Sequence, residues 1–387
     1  MEPGVFRPRG GGSPWRGQAR GMLTSDDVKR RALELGFDLC GIAPAGEFPE
    51  LAFLPSWLAR GYGGRMTYLN RTATRRADVR RWLPSARSVV VVASLYNTNQ
   101  PYSIEIADRN RALIARYAWG DDYHDVMGGW MDALCAWMRA EAGPGFDARW
   151  CVDDGPVQER VYAQYAGLGW IGKNTCVINP DIGSWILLGA VVCNLLLEPD
   201  APALDQCGTC RLCIDACPTG AIVEPHVLDA RRCVSYLTIE IRGSIPVADR
   251  VRLGSHVFGC DICQDVCPHN ASAPQTAAAL WQPRPLFNQP TLESLWRAND
   301  ATLEGAIEGT ALRRAGVGGL RRNMAVALGN AGVAARPLLD PAPPEKGPGP
   351  FSADGTEKEP GPFSEGDAPS LADPIVAEHV AWAKSSR

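Results

Sequence analysis

The sequence predicts an α+β protein: an α/β sandwich core, a ferredoxin-like domain holding two iron–sulfur clusters, and a small helical C-terminal module. Three observations predict it. Ser88–Leu95 (SVVVVASL) and the apolar stretch from Ile182 to Leu197 read as buried strands, and helix-length segments alternate with them. Cys207, Cys210, Cys213 and Cys217, with Pro218 next, form a C-x2-C-x2-C-x3-C-P run. Such a run wraps three thiolates around one iron–sulfur cube and sends the fourth to a second. Beyond Pro268 the pattern turns helical, at Asn299–Ile307 and Leu320–Leu328.

The second cysteine run, Cys260, Cys263 and Cys267 before Pro268, lacks its first member because position 257 is Val; Cys233 fills the gap. The expected wiring is Cys207, Cys210, Cys213 and Cys267 on one 4Fe–4S cluster, and Cys217, Cys233, Cys260 and Cys263 on the other. Two residues between cysteines let a turn aim successive sulfurs into one cavity. Proline ends the wrap by fixing φ and giving up its N–H. Structural zinc favours separate C-x2-C pairs, and disulfides suit exported chains.

The chain has 387 residues, enough for two or three domains, and a net charge of −4, so there is no global basic footprint for nucleic acid. Of 13 cysteines, eight go to clusters; Cys40, Cys135, Cys151, Cys176 and Cys193 remain as free buried thiols of a reducing cytoplasm. Residues 1–21 are rich in Gly, Arg and Pro with no apolar run. They read as a disordered tail rather than a secretory signal, with Met22 as an alternative start. Ile182–Leu197 stops short of the ~20 apolar residues of a membrane helix, so no membrane is expected.

In order, Ser25-Asp26-Asp27 caps a helix that Gly36 ends, and Phe37–Ile42 is a strand. Trp57–Leu69 is a second helix, Ser88–Leu95 the central strand, Asp125–Glu141 a helix and Trp150–Val152 a strand. Pro156 opens a helix from its first turn, and Gly167 closes it. Val177–Ile178 and Trp185–Leu196 are strands of the same core. From Ala331 to Ala372 Pro, Gly, Glu and Asp dominate and PGPFS occurs twice, which reads as a disordered linker. Asp373–Lys384 forms an amphipathic helix too short to stand alone, so it should dock on the body.

Three stretches outside the cysteines stand out. They are Tyr117-Ala-Trp-Gly-Asp-Asp-Tyr-His124; Val152-Asp-Asp-Gly-Pro-Val-Gln-Glu-Arg160, leading into Gly167-Leu-Gly-Trp-Ile-Gly-Lys-Asn174 and Gly183-Ser-Trp185; and Gly309-Thr-Ala-Leu-Arg-Arg314, followed by Leu320-Arg-Arg-Asn-Met-Ala-Val-Ala-Leu-Gly-Asn330. With Cys233-Val-Ser-Tyr-Leu-Thr-Ile-Glu240, they make the sequence resemble the epoxyqueuosine reductases, cobalamin-dependent iron–sulfur enzymes that finish queuosine in tRNA. The resemblance runs from about Leu23 to Asn330, and weakly through 373–384.

The resemblance implies a corrinoid-binding catalytic core at 22–198, the two-cluster domain at 199–272, a basic tRNA-contacting helical module at 273–330, the linker at 331–372 and a terminal helix at 373–387. It implies reduction of the epoxide of epoxyqueuosine, at the wobble position of tRNA, to the alkene. Electrons would pass from an external low-potential donor through two 4Fe–4S clusters to a base-off cobalamin, in a cytoplasmic monomer. The family's catalytic aspartate falls on Asp153, the expected proton donor. A carboxylate ahead of a helix N-terminus favours the anion; burial against an apolar face pushes the other way. Asp154 stands where the family usually has a small uncharged residue, and is given a capping or solvent role.

By the same resemblance, Arg76, Tyr117, Asp153, Lys173, Asn174, Ser184 and Ser235 contact cobalamin. No Asp-x-His-x-x-Gly loop is present, in keeping with a base-off cofactor without a protein ligand, and His124 orients neighbours or contacts substrate. Arg313, Arg314, Arg321 and Arg322, joined by Arg231, Arg232 and Arg242, suit phosphate and form the expected tRNA grip. The plain alternative for such a run is a solvated helix face. Corrinoid reductive dehalogenases share the clusters and the corrinoid core, but usually carry a twin-arginine export signal, which this sequence lacks. A plain two-cluster electron carrier would leave the core and the Asp153 region unexplained.

Overall fold

The computed structural model describes residues 23–340 and 373–386. Its first part runs α1 (Ser25–Leu35), β1 (Leu39–Pro44), α2 (Phe53–Ala59), α3 (Thr67–Arg76), β2 (Ser88–Leu95), β3 (Leu113–Ile114), α4 (Tyr123–Ala142), β4 (Ala148–Cys151), α5 (Glu159–Tyr165), β5 (Trp170–Ile171), β6 (Val177–Ile178) and β7 (Ile186–Cys193). The core sheet has the order β1–β2–β7–β4 and is antiparallel throughout. β2 is buried along its whole length. Val90 and Val92 join the side covered by α1 and α4, while Val89, Val91 and Ala93 join the side covered by α5. Helices on both faces explain why an antiparallel strand carries no polar alternation. Gly41 lets β1 approach α5, since a Cβ there would sit 2.1 Å from the Ala166 carbonyl oxygen.

Several expected boundaries shift for physical reasons. Thr24 rather than Ser25 caps α1, through a reciprocal capping box with Asp27, and Gly36 ends the helix at φ 115°. The helix expected over 57–69 is two helices, because Gly61 and Gly64 turn the chain at φ 72° and 54°. Val177–Ile178 is not part of the core sheet; it pairs with Trp170–Ile171 in a separate hairpin. Pro156 does not open α5. That helix starts at Glu159, leaving 152–158 as a loop at the end of β4.

The second part holds α6 (Leu212–Ala216), β8 (Ile222–Glu224), β9 (Val227–Leu228), α7 (Val234–Ile239), α8 (Val247–Arg250), β10 (His256–Phe258), α9 (Ile262–Asp265), α10 (Leu292–Arg297), α11 (Asp300–Ile307), α12 (Gly316–Ala331) and α13 (Pro374–Ser385). β10 pairs in parallel with β3, which stitches the cysteine-bearing part to the core. α13 lies along α12 with Val376, Val380 and Ala383 buried, as its shortness demands. His379 Nε2 accepts the Ile245 amide at 3.1 Å, and Glu378 pairs with Arg250. The linker expected from 331 begins later. Ala331 closes α12, and Val333–Leu339 forms a 3-10 turn whose Leu338 carbonyl accepts the Trp296 indole N–H at 2.7 Å. Residues 341–372 of that linker and the expected tail at 1–21 lie outside the described residues. Among the described residues, no helix is long and apolar enough to cross a membrane.

Candidate active site

The structure brings the eight cysteines together in the two expected sets. Cys207, Cys210, Cys213 and Cys267 line one cavity with Lys173, Asn174, Ile178 and His269. The Trp170 indole N–H points at Cys207 Sγ from 3.4 Å. Cys217, Cys233, Cys260 and Cys263 form the second set. Burial pushes the Cys260 thiol up, and its neighbours Cys233 and Cys217 add to the shift. Cys263 is pushed up by a hydrogen bond with Cys176, then by burial, then by its neighbours Cys260 and Cys233. Burial opposes ionisation of Cys217, yet the Ala221 amide at 3.2 Å and neighbouring donors hold its thiol below the usual range. Such N–H···S bonds stabilise thiolate and help set a cluster's potential. Among the described residues, no three His, Cys, Asp or Glu side chains converge as on a single ion.

Asp153 follows β4 on a tight turn. Its φ is +63°, and the Asp154 amide donates back to the Val152 carbonyl at 2.8 Å across it. The Tyr123 hydroxyl donates to Asp153 Oδ2 at 3.0 Å, and the Asp153 amide donates to Glu159 Oε1 at 2.8 Å. The Asp153 residue is exposed, and Glu159 beside it is half-buried. Burial first, and the Asp153 carboxylate second, push Glu159 up to about 8. Neither acid caps α5: Asp154 Oδ1 accepts the Val152 amide, and Gln158, at the N-cap, makes no capping bond. His124 lies against Tyr123 with ring centroids 4.0 Å apart and planes tilted by 30°, and binds Asp122 through Nδ1 at 2.7 Å. Burial works against charge on His124, but Asp122 raises it above its ordinary value overall.

Tyr117 meets Tyr123 edge-on, at 5.9 Å and 78°, and lies 6.2 Å from Phe258, two residues before Cys260. Its hydroxyl has no hydrogen-bond partner among the described residues, and burial, then Asp153, pushes that phenol up. Arg76 donates to Thr72 Oγ1 at 3.0 Å and to the Val157 carbonyl at 2.9 Å, clamping the far end of the Asp153 loop. Ser235 turns its amide and hydroxyl toward the Cys233 thiol.

Three further residues expected to contact cobalamin direct their side chains to the cysteine loops. Lys173 Nζ donates to the Gly208 and Cys210 carbonyls at 2.6 and 2.8 Å. Asn174 Nδ2 donates to the Cys263 carbonyl at 3.2 Å. Ser184, only 3% exposed, donates its hydroxyl to Gln264 and accepts from Asn270 Nδ2.

Two family models match. One described as epoxyqueuosine reductase QueG covers residues 76–154, and a 4Fe-4S double cluster binding domain covers 206–270. The epoxyqueuosine reductase of Gloeobacter violaceus is 44% identical over 318 residues, covering 80% of this chain and 97% of its own. The chain belongs to the epoxyqueuosine reductase family. The Shewanella oneidensis epoxyqueuosine reductase is 38% identical over 361 residues, 92% of this chain and 86% of its own. A crystal structure of an epoxyqueuosine reductase with an epoxyqueuosine-modified tRNA-Tyr stem loop matches with a TM-score of 0.76 at 27% identity, over 93% of this chain and 88% of that one. The Bacillus subtilis enzyme matches with a TM-score of 0.72 at 29% identity, over 81% and 83%, in a structure whose catalytic loop is swung out of the active site. As an oxidoreductase of the epoxyqueuosine reductase family with a double-cluster domain, the chain carries two 4Fe–4S clusters.

The expected arginine grip divides. Arg321 and Arg322 are 1% and 2% exposed, so they are not phosphate contacts. Arg321 bonds the Trp296 and Ala298 carbonyls and Asp300; Arg322 bonds the Ile241 and Gly243 carbonyls. Arg313 and Arg314 are exposed, with Arg314 paired to Glu240 at 2.9 Å. Sequence reasoning missed Arg71 and Arg75, exposed and without a side-chain partner among the described residues. They flank the α3 face that carries Tyr68, Thr72 and Arg76. Helical spacing, applied to that cationic segment, could have found them. It also missed Glu159 and Tyr123, which only the folded loop brings to Asp153.

Proposed function

We propose that this chain reduces epoxyqueuosine in the anticodon of tRNA to queuosine. The cyclopentane epoxide takes up two electrons and two protons, becomes the alkene, and releases its oxygen as water. Asp153 gives a proton to the departing oxygen, with Tyr123 orienting its carboxyl group. The observation that carries this reading is the Asp153 turn: an exposed acid, fixed at amide and carboxylate, joined through Tyr123 and Tyr117 to Phe258 beside Cys260.

Cobalamin fits the polar groups left open there. The Tyr117 hydroxyl without a partner and the open Asp153 carboxylate would hold it, with Arg76 and Ser235 at the edge. When bound, the clusters supply single-electron transfer from an external low-potential donor, and a base-off cobalamin supplies a strongly reducing centre at the substrate. The test is an anaerobic assay on tRNA containing epoxyqueuosine, with and without added cobalamin. Queuosine should form only with it; a fully loaded protein that leaves epoxyqueuosine unchanged overturns the reading.

Arg313, with Arg71 and Arg75, would take tRNA phosphates, a reading supported by their exposure. Arg313→Ala/Arg314→Ala should raise the KM for tRNA, leave kcat nearly intact, and flatten the salt dependence by about one unit of slope per lost phosphate contact. Titrating KM against salt checks this; an unchanged slope removes the pair from the RNA contact.

A further inference from the structure

We propose that Glu159 is a positioning residue: it latches the Asp153 turn into the site by accepting the Asp153 amide. The proposal rests on Asp153 being the proton donor.

The turn needs a latch. Asp153 sits at φ +63° inside a three-residue turn, a backbone state that a residue with a Cβ leaves unless neighbours hold it. Two side-chain contacts do so: Tyr123 on the carboxylate and Glu159 on the amide. Tyr123 grips an end that can rotate about the side-chain bonds. Glu159 grips the backbone itself.

Glu159 is well anchored for this. It opens α5, whose Val161, Tyr162 and Ala163 are buried in the core. Just before it, Gln158 Nε2 donates to the Leu51 and Arg76 carbonyls at 3.1 and 3.0 Å, and Arg76 holds the Val157 carbonyl. The loop between the latch points folds closely over Cys151, where a Cβ on Gly155 would lie 2.6 Å from Sγ. Cys151 Sγ also donates to Glu159 Oε1, at 3.5 Å. Burial raises the Glu159 carboxyl to about 8, and the bond to the Asp153 amide needs only the Oε1 acceptor, which a Gln side chain also supplies.

The test reads the loop without any cofactor. Hydrogen exchange followed by mass spectrometry on peptides spanning 152–158 is compared in wild type, Glu159→Ala and Glu159→Gln. Glu159→Ala should speed exchange of this loop by about tenfold, the loss of one hydrogen bond, while Glu159→Gln, which keeps the acceptor, stays near wild type. If Glu159→Ala does not fold, Glu159→Asp breaks the same contact by one methylene without leaving a large cavity. In loaded enzyme the amide-releasing variants should lose kcat, keep the KM for tRNA, and be rescued by Gln. Unchanged exchange in the releasing variants, or Gln behaving like Ala, overturns the latch. Full turnover in Asp153→Asn instead overturns the reading of Asp153 and leaves the exchange result standing.

Discussion

Asp153→Asn is expected to lower turnover by about a hundred- to ten-thousandfold, the range for losing a positioned general acid. The substitution isolates chemistry from structure. Asn is among the few residues that accept positive φ, so the turn at +63° can persist. The amide that Glu159 accepts is backbone and unaffected, and the Asn carbonyl can still receive the Tyr123 hydroxyl. Only the acidic proton is gone. Single-turnover conversion of epoxyqueuosine tRNA, with cluster absorbance and bound corrinoid measured in the same sample, checks the expectation. A wild-type rate would exclude Asp153 from the mechanism.

Arg322→Ala is expected to cost stability, not RNA affinity. The guanidinium bonds the Leu237, Ile241 and Gly243 carbonyls and Asn323 Oδ1 from a position 2% exposed. Burial pushes its pKa down to about 10, which still leaves it charged at neutral pH. Truncation strands acceptors at the end of α7, and each buried acceptor left unpaired costs about 1–3 kcal/mol. The total should reach about 3–5 kcal/mol, near the upper limit for single substitutions. Urea denaturation followed by loss of cluster absorbance measures it. A normal midpoint combined with a salt-dependent rise in KM would return Arg322 to the RNA surface.

What the sequence revealed follows from what each feature depends on. Cysteine spacing is local geometry, so both ligand sets could be read before any fold was known. The Ser88–Leu95 strand needed only its unbroken apolar run, and α13 only its length and pattern. The Arg321–Arg322 pair was misread because adjacent helical residues look the same in sequence whether they face water or backbone carbonyls. Lys173, Asn174 and Ser184 lie on glycine-rich turns that suit a ligand equally well. Only the fold shows that their side chains bond the cysteine loops, 30 to 90 residues later. Glu159 was hidden for the opposite reason. Six residues from Asp153, it looks like any helix-opening acid until the loop turns back on itself.

The hairpin of β5 and β6 carries one further consequence. Lys173 grips carbonyls of the first cysteine loop, and its neighbour Asn174 grips the Cys263 carbonyl of the second. Adjacent residues of one turn therefore tie the two cysteine loops together and would act as a ruler between the clusters those loops hold. Tunnelling depends exponentially on that gap, so loosening the ruler would slow electron hopping between centres whose individual potentials had not moved.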